Sequence, residues 1–202
     1  MIDTIIFDFG DVFINLDKSA TEDALKELGL TKWNKDLSQL NIQFETGKIS
    51  PEDFLLGIQK HVPKASIKDI SKAWKAILLD FPLYRLEFLQ IISNKYRLFL
   101  LSNTDAIHIK TFEKENGISF YSDFYQCFEK VYFSFEIGMR KPNADIFNLL
   151  IEKHALSAKR TLFVDDKKEN TDVALSLGFQ VWNLQVGEED VVDLFSKKEL
   201  LF

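Results

Sequence analysis

The sequence has a single cysteine, Cys127, in 202 residues. No internal disulfide can form, so the chain suits a reducing compartment, and Cys127 is expected to be a buried small apolar residue. A basic excess is missing too. The 25 Lys and Arg stand against 31 Asp and Glu, for a net charge of −6, and they are scattered rather than gathered into a stripe, which argues against nucleic acid as a partner. A small-molecule ligand is the better expectation. No run approaches the roughly 18 apolar residues of a membrane span. The opening MIDTIIFDFG lacks both the basic start and the ~7–15-residue apolar stretch of a secretory leader. A soluble cytoplasmic chain with no membrane partner is expected, with a monomer as the default. Internal repeats and low-complexity segments are also absent.

What is present suffices for a core: 46% of residues are hydrophobic and 13% aromatic, which at ~100–200 residues per domain predicts one or two domains. The 19 phenylalanines read as core filling, and Trp33, Trp74 and Trp182 as core or cap packing. Four apolar runs have the length of buried strands: residues 2–7, 96–102, 159–165 and 179–185. A fifth strand is expected over 129–135. Segments of helical spacing lie between them at 84–94, 105–116, 143–155 and 168–177, the last closed by Gly178. This alternation predicts an α/β fold, a Rossmann-like doubly wound parallel sheet. Residues 15–83 break the pattern, with helical periodicity and no convincing strand. They are read as an inserted helical cap, leaving 1–14 and 84–202 as the core domain. Within the cap, Ser50, Pro51 and Asp53 form a helix start, and Pro82 marks the return.

Ligands of an open parallel sheet sit at the carboxyl ends of its strands. The first run ends in Asp8-Phe9-Gly10-Asp11, the second in Ser102-Asn103-Thr104-Asp105, and the 159–165 run in Asp165-Asp166. Lys141-Pro142 follows the 129–135 segment. Carboxylates, a hydroxyl and a lysine therefore converge on one edge, a set suited to phosphoryl transfer, which needs charge neutralisation and in-line positioning. Asp8 could attack phosphorus to form an acyl phosphate. Asp8, Asp165 and Asp166 offer hard oxygen ligands suited to Mg²⁺. The adjacent Asp165 and Asp166 repel each other unless something positive sits beside them. Ser102 and the amides after Asn103 can donate to phosphate oxygens, and Lys141 supplies a point charge.

The strings FDFGDV, LSNT, GMRKPNADIF and FVDDKKENTDVALSLGF, in that order, resemble the four motifs of the haloacid dehalogenase (HAD) superfamily. With the helical insert after the first, the likeness spans nearly the whole chain. The DxGxV start, the SNT(D/N)xxH string and GMRKP look similar to the bacterial α-D-glucose-1-phosphate phosphatase branch. This resemblance implies Asp8 as nucleophile, the Gly10 carbonyl and Asp166 as metal ligands, Ser102 and Lys141 as phosphate binders, and Asp165 in support. Asn170 stands where relatives often carry a second acidic residue. Glu45 and Lys48, in FETGKIS, fall in a segment that relatives place near the site entrance, while Arg140 reads as structural.

One departure from the family pattern matters. Phosphatases of the family typically carry an acid two residues after the nucleophile, and here that position is Gly10. Loss of general acid catalysis, typically worth ~10²–10⁴-fold, should remove ~3–5 kcal/mol of transition-state stabilisation. Such a site should be slow or favour good leaving groups, of which an anomeric phosphate is one. Asp11 and His108 are candidates for the missing acid and for contact with phosphate; a turn-stabilising Asp11 and a packing His108 are the plainer alternatives. The expected activity is Mg²⁺-dependent hydrolysis of small phosphate monoesters, sugar phosphates among them, through an aspartyl phosphate on Asp8. Its rivals are a metal-independent L-2-haloacid dehalogenase, against which Asp165-Asp166 stands, and a catalytically weak phosphate-binding or regulatory protein, which Gly10 keeps in play.

Overall fold

Ile5, Ile6 and Phe7 are shut off from solvent, and a run hidden on both faces belongs inside a parallel sheet. In the computed structural model, which describes residues 1–202 apart from the side chain of Leu200, these residues form the central strand. The strands are β1 (Thr4–Phe7), β2 (Arg97–Ser102), β3 (Lys130–Phe133), β4 (Thr161–Asp165) and β5 (Gln180–Asn183), in the order β3-β2-β1-β4-β5. All four pairings are parallel, and Phe7 lies level with Leu100 on one side and Val164 on the other. The chain winds outward from β1 through β2 to β3 and then returns to add β4 and β5 on the other flank. The switch point, where ligands of such sheets bind, therefore falls between the carboxyl ends of β1 and β4.

Between β1 and β2 the chain forms α1 (Ala20–Glu27), α2 (Lys35–Glu45), α3 (Pro51–Gln59) and α4 (Ile67–Lys75), then returns through α5 (Leu83–Ser93). Local chemistry sets the starts of these helices. Asn34, Ser50 and Ser66 accept from the backbone N–H groups of Leu37, Asp53 and Asp69, and Pro51 occupies the first turn of α3. Leu25, Leu37, Phe44, Phe54, Ile58, Ile70 and Trp74 give α1–α4 an apolar cluster of their own. It is joined by Ile107 of α6 (Ala106–Gln126), the helix after β2.

The sheet is covered on both faces. Alternate residues Ile5, Phe7, Leu98, Leu100, Leu162 and Val164 meet α5 and α6 through Leu86, Leu89, Phe112 and Phe124. The intervening Ile6, Phe99, Leu101 and Phe163 meet Phe147 and Leu150 of α8 (Ala144–His154) and Ala174 of α9 (Lys168–Ser176). A short helix, α7 (Ser134–Ile137), sits between β3 and α8, and α10 (Leu194–Lys197) lies near the C-terminus. Among the described residues no helix is long and apolar enough to cross a membrane.

Some expectations need correction. The strand predicted over 129–135 stops at Phe133, because Ser134 is drawn away to exchange hydrogen bonds with Thr104. The helix predicted over 105–116 continues to Gln126 across a break at Gly117, whose φ of 79° a side chain would strain. Cys127 is half-buried rather than buried, its thiol donating to the Asp123 carbonyl at 3.3 Å.

Phe124 is fully buried among the rings of Phe9, Phe13, Phe81, Phe112 and Phe128. Phe124→Ala is expected to cost about 3–5 kcal/mol, read from urea unfolding; a loss under about 1 kcal/mol would show that the cluster closes over the cavity.

Candidate active site

Asp8 is the first residue beyond β1, and its N–H still donates to Val164 O at 2.9 Å, as though the strand ran one residue further. Its carboxylate is thereby held level with Asp165, the last residue of β4. The carboxylates of Asp8, Asp165 and Asp166 lie within 4.8 Å of one another. Lys141, 1% exposed, places its Nζ 2.8 Å from Asp8 Oδ1 and 2.6 Å from Asp165 Oδ2. Burial opposes the charge on Lys141, but Asp165 and Asp8 outweigh it and raise its pKa.

Asn103 fixes that lysine. Its side chain donates to Lys141 O at 2.8 Å and accepts from Lys141 N at 2.9 Å. Asn103, expected at the phosphate, is thus occupied in positioning Lys141. Ser102, the buried last residue of β2, fits its expected place better: among the described residues its hydroxyl has no hydrogen-bond partner, and it faces a cavity of about 180 Å³ at the strand ends. Asp165 is heavily engaged, accepting from Lys167 N at 2.8 Å, from Lys141 Nζ and, on both oxygens, from Asn170 Nδ2 at 3.0 and 2.9 Å. That leaves Asp8 and Asp166 as the freer cation ligands, with Asp165 in support.

Two expected phosphate contacts are committed elsewhere. Asp11 adopts a left-handed φ of 56°; its Oδ1 accepts from Leu16 N at 3.0 Å and its Oδ2 pairs with Lys18 Nζ at 2.8 Å. It braces the turn after Asp8 rather than turning toward a phosphate. His108 lines the cavity, but Nδ1 lies 2.8 Å from Asp105 Oδ2, Nε2 lies 2.9 Å from Trp74 O, and the ring stacks on that of Trp74. With Trp74 Nε1 donating to Asp105 at 3.1 Å, these residues clasp α4 to the start of α6, and neither imidazole nitrogen remains free for a substrate. Gly10 also lies in the cavity wall, where a Cβ added to it would meet Leu16 Cδ1 at 2.7 Å. An aliphatic side chain therefore fills the space that a side chain at Gly10 would enter.

Lys18 belongs to none of the four motifs. Its Nζ bridges Asp166 at 2.7 Å and Asp11 at 2.8 Å from the segment leading into α1. A lone lysine in a polar stretch carries no local signal of such a contact. The carboxylates of Asp8, Asp11, Asp165 and Asp166 against the ammoniums of Lys18 and Lys141 leave a surplus of two negative charges. Burial, then the neighbouring Asp165 and Asp166, push the Asp8 pKa up to about 6 against the pull of Lys141. The residues thus fit one divalent cation, which would cancel the surplus and draw the Asp8 pKa back down. The buried, unpartnered Oδ1 of Asn170 lies beside the same cluster.

A doubly wound sheet with a carboxylate cluster and a buried lysine at its switch point has the make-up of a hydrolase site. The chain belongs to the haloacid dehalogenase-like hydrolases, whose family model matches residues 2–178. Among its relatives is a D-ribitol-5-phosphate phosphatase of Bacteroides thetaiotaomicron, 26% identical over 195 residues, covering 94% of this chain and 95% of that protein. The crystal structure of a HAD family enzyme from the same organism superposes with a TM-score of 0.86 at 35% identity, over 96% of this chain and 98% of that one. A crystal structure of a HAD family enzyme from that organism in complex with magnesium and inorganic phosphate gives a TM-score of 0.82 at 34% identity, over 94% and 97%.

The clasp yields a pH test. Burial opposes the charge on His108, but the Asp105 carboxylate outweighs it and raises the pKa. Its stabilisation is complete below the unfolded-state value of about 6.5 and is lost as pH rises through the higher folded value. The margin in unfolding temperature of wild type over His108→Gln should therefore be largest below about pH 6.5 and shrink as pH rises above it; a constant margin would mean the clasp ignores the charge.

Proposed function

We propose that the protein is a Mg²⁺-dependent phosphohydrolase of small phosphate monoesters, sugar or polyol phosphates among them, acting through an aspartyl phosphate on Asp8. The observation that carries this reading is the buried cluster of Asp8, Asp165 and Asp166 around Lys141, with its surplus of negative charge. In this reading residues 1–14 and 84–202 are the catalytic core and 15–83 a cap over the cavity. The relative that acts on D-ribitol-5-phosphate and the HAD structure holding magnesium and phosphate support it.

Asp8, Asp166 and the Gly10 carbonyl would hold the cation, which when bound shields the attacking carboxylate from the phosphate's negative charge. Lys141, 2.8 Å from Asp8 Oδ1, aims that carboxylate and takes up charge as a bond to phosphorus forms. The Ser102 hydroxyl donates to a phosphate oxygen, whereas the amides beyond Asn103 do not, since Thr104 N bonds Ser134 Oγ and Ile107 N and His108 N bond the Asp105 carboxylate. The bond from phosphorus to the leaving oxygen breaks, and the departing alkoxide takes a proton from solvent water to leave as the alcohol. Water then attacks phosphorus, the acyl-phosphate bond breaks, and inorganic phosphate leaves with the Asp8 carboxylate restored.

No side chain stands ready to protonate the leaving oxygen from the Gly10 position, since Leu16 fills it and Asp11 and His108 are engaged. The reading therefore favours leaving groups of low basicity. A metal-free dehalogenase gains nothing from a site with two surplus negative charges.

Phosphate release is the test, from glucose-1-phosphate, glucose-6-phosphate, ribitol-5-phosphate and p-nitrophenyl phosphate, with Mg²⁺ or chelator. Wild type with Mg²⁺ should turn over, and both Asp8→Asn and chelator should reduce kcat by at least about 10³-fold. Full turnover in chelator, or in Asp8→Asn, overturns the reading; phosphate binding without turnover replaces it with a binding role.

Lys18 competes with a cation for Asp166. Lys18→Met should tighten Mg²⁺ binding in isothermal titration calorimetry by on the order of tenfold, and unchanged or weaker binding would rule out that competition.

A further inference from the structure

Four buried side-chain polar atoms lack a hydrogen-bond partner among the described residues. Three of them, Asn41 Oδ1, Glu45 Oε2 and Arg140 Nε, belong to one cluster. A native structure accounts for such atoms with water or with a ligand. Asn41 and Glu45 lie one turn apart on α2, Asn41 Nδ2 donating to Glu45 Oε1 at 3.2 Å, and both line the 180 Å³ cavity that also exposes Ser102 and Gly10. Arg140 reaches across from the core, its Nη2 3.1 Å from Glu45 Oε2 in a contact not aligned as a hydrogen bond.

The cluster is firmly seated. Just past α2, Gly47 turns with φ 65° against the core, so close that a Cβ there would meet Phe135 O at 2.1 Å. Glu45 is therefore docked on the core rather than carried on a loose helix end. The cavity wall also includes Leu16, Trp74 and Leu78.

Resting on the phosphohydrolase reading, we propose that Asn41 and Glu45 are the subsite for the leaving group and select phosphate esters of neutral, polyhydroxylated alcohols. Asn41 Oδ1 and Glu45 Oε2 are both acceptors, so the groups that satisfy them are donors, and hydroxyls along a carbon chain supply donors at the spacing of neighbouring carbons. Arg140 positions Glu45 and offsets its charge, which removes the advantage an ammonium ligand would have over a hydroxyl. A leaving group bearing a carboxylate would set like charge against Glu45. The aliphatic and indole surfaces of the same cavity suit the carbon face of such a chain. Arg140 directly precedes Lys141, so a single peptide unit joins the residue that orients the leaving-group subsite to the one that holds Asp8.

The test compares kcat/KM for ribitol-5-phosphate, 5-hydroxypentyl phosphate, phosphoserine, phosphoethanolamine and p-nitrophenyl phosphate, in wild type, Asn41→Leu and Glu45→Gln. Wild type should prefer the pentitol ester over its deoxygenated analogue by at least about tenfold, with phosphoserine and phosphoethanolamine below both. In each variant the ratio of pentitol ester to p-nitrophenyl phosphate should fall by about tenfold or more. Equal wild-type activity on the hydroxylated and deoxygenated esters overturns the subsite, and so does an unchanged ratio in folded variants. A preference for phosphoethanolamine would replace hydroxyl recognition by cation recognition. Where a variant fails to fold, the wild-type comparison decides alone. Absence of turnover on every ester, p-nitrophenyl phosphate included, defeats the phosphohydrolase reading, whereas turnover without hydroxyl preference defeats only this one.

Discussion

A fully buried ammonium held between two carboxylates is the constraint on which the rest of the site depends. Lys141 cannot sit in the interior without Asp8 and Asp165, and those carboxylates cannot lie side by side without Lys141. Each partner is delivered by a separate part of the fold: Asp8 by the central strand, Asp165 by the neighbour that pairs with it, and Lys141 by the loop after α7, clamped through Asn103. Pairing within the sheet is therefore a condition of the chemistry, since a register shift of one residue between β1 and β4 would turn one carboxylate to the opposite face. The lysine neutralises only part of the local charge, and the remainder is what makes the edge of the sheet attractive to a cation.

Much of this was readable along the chain because it rests on short-range pattern. Unbroken apolar runs announced inner strands, and the polar residues directly after them had to lie at the carboxyl edge. Ser50, Pro51 and Asp53 specified a helix start through contacts within one turn. Side-chain partners drawn from distant segments were another matter. Asp11 and His108 had the right types in the right neighbourhood for contact with phosphate, yet Lys18 and Leu16 claim one, and Asp105 and Trp74 the other. Asn103 lay at the expected strand end but turned to Lys141, 38 residues on. Leu16 has no feature by which a sequence reader would match it to the gap left by Gly10. The end of β3 was missed for a similar reason, because Ser134 follows Thr104 rather than its own strand propensity.

The helical layer touches the core through small, chemically distinct joints rather than one broad apolar face. Trp74 meets Asp105 and His108, Gly47 rests on Phe135, and Glu45 faces Arg140. Its apolar cluster is largely its own, with only Ile107 contributed by the sheet-covering helices. Polar joints of this kind fix orientation more than they add stability, because each contact replaces one made with water.

The position of β1 bears on how the molecule breathes. A strand paired on both sides exchanges its amide protons only when most of the sheet comes apart, whereas a layer with its own core and few joints can open as a separate cooperative unit. Asp8, whose amide is tied to Val164, thus sits at the slow-exchanging end of the molecule's opening hierarchy. Loosening of the helical layer and loosening of Asp8 therefore belong to different opening events.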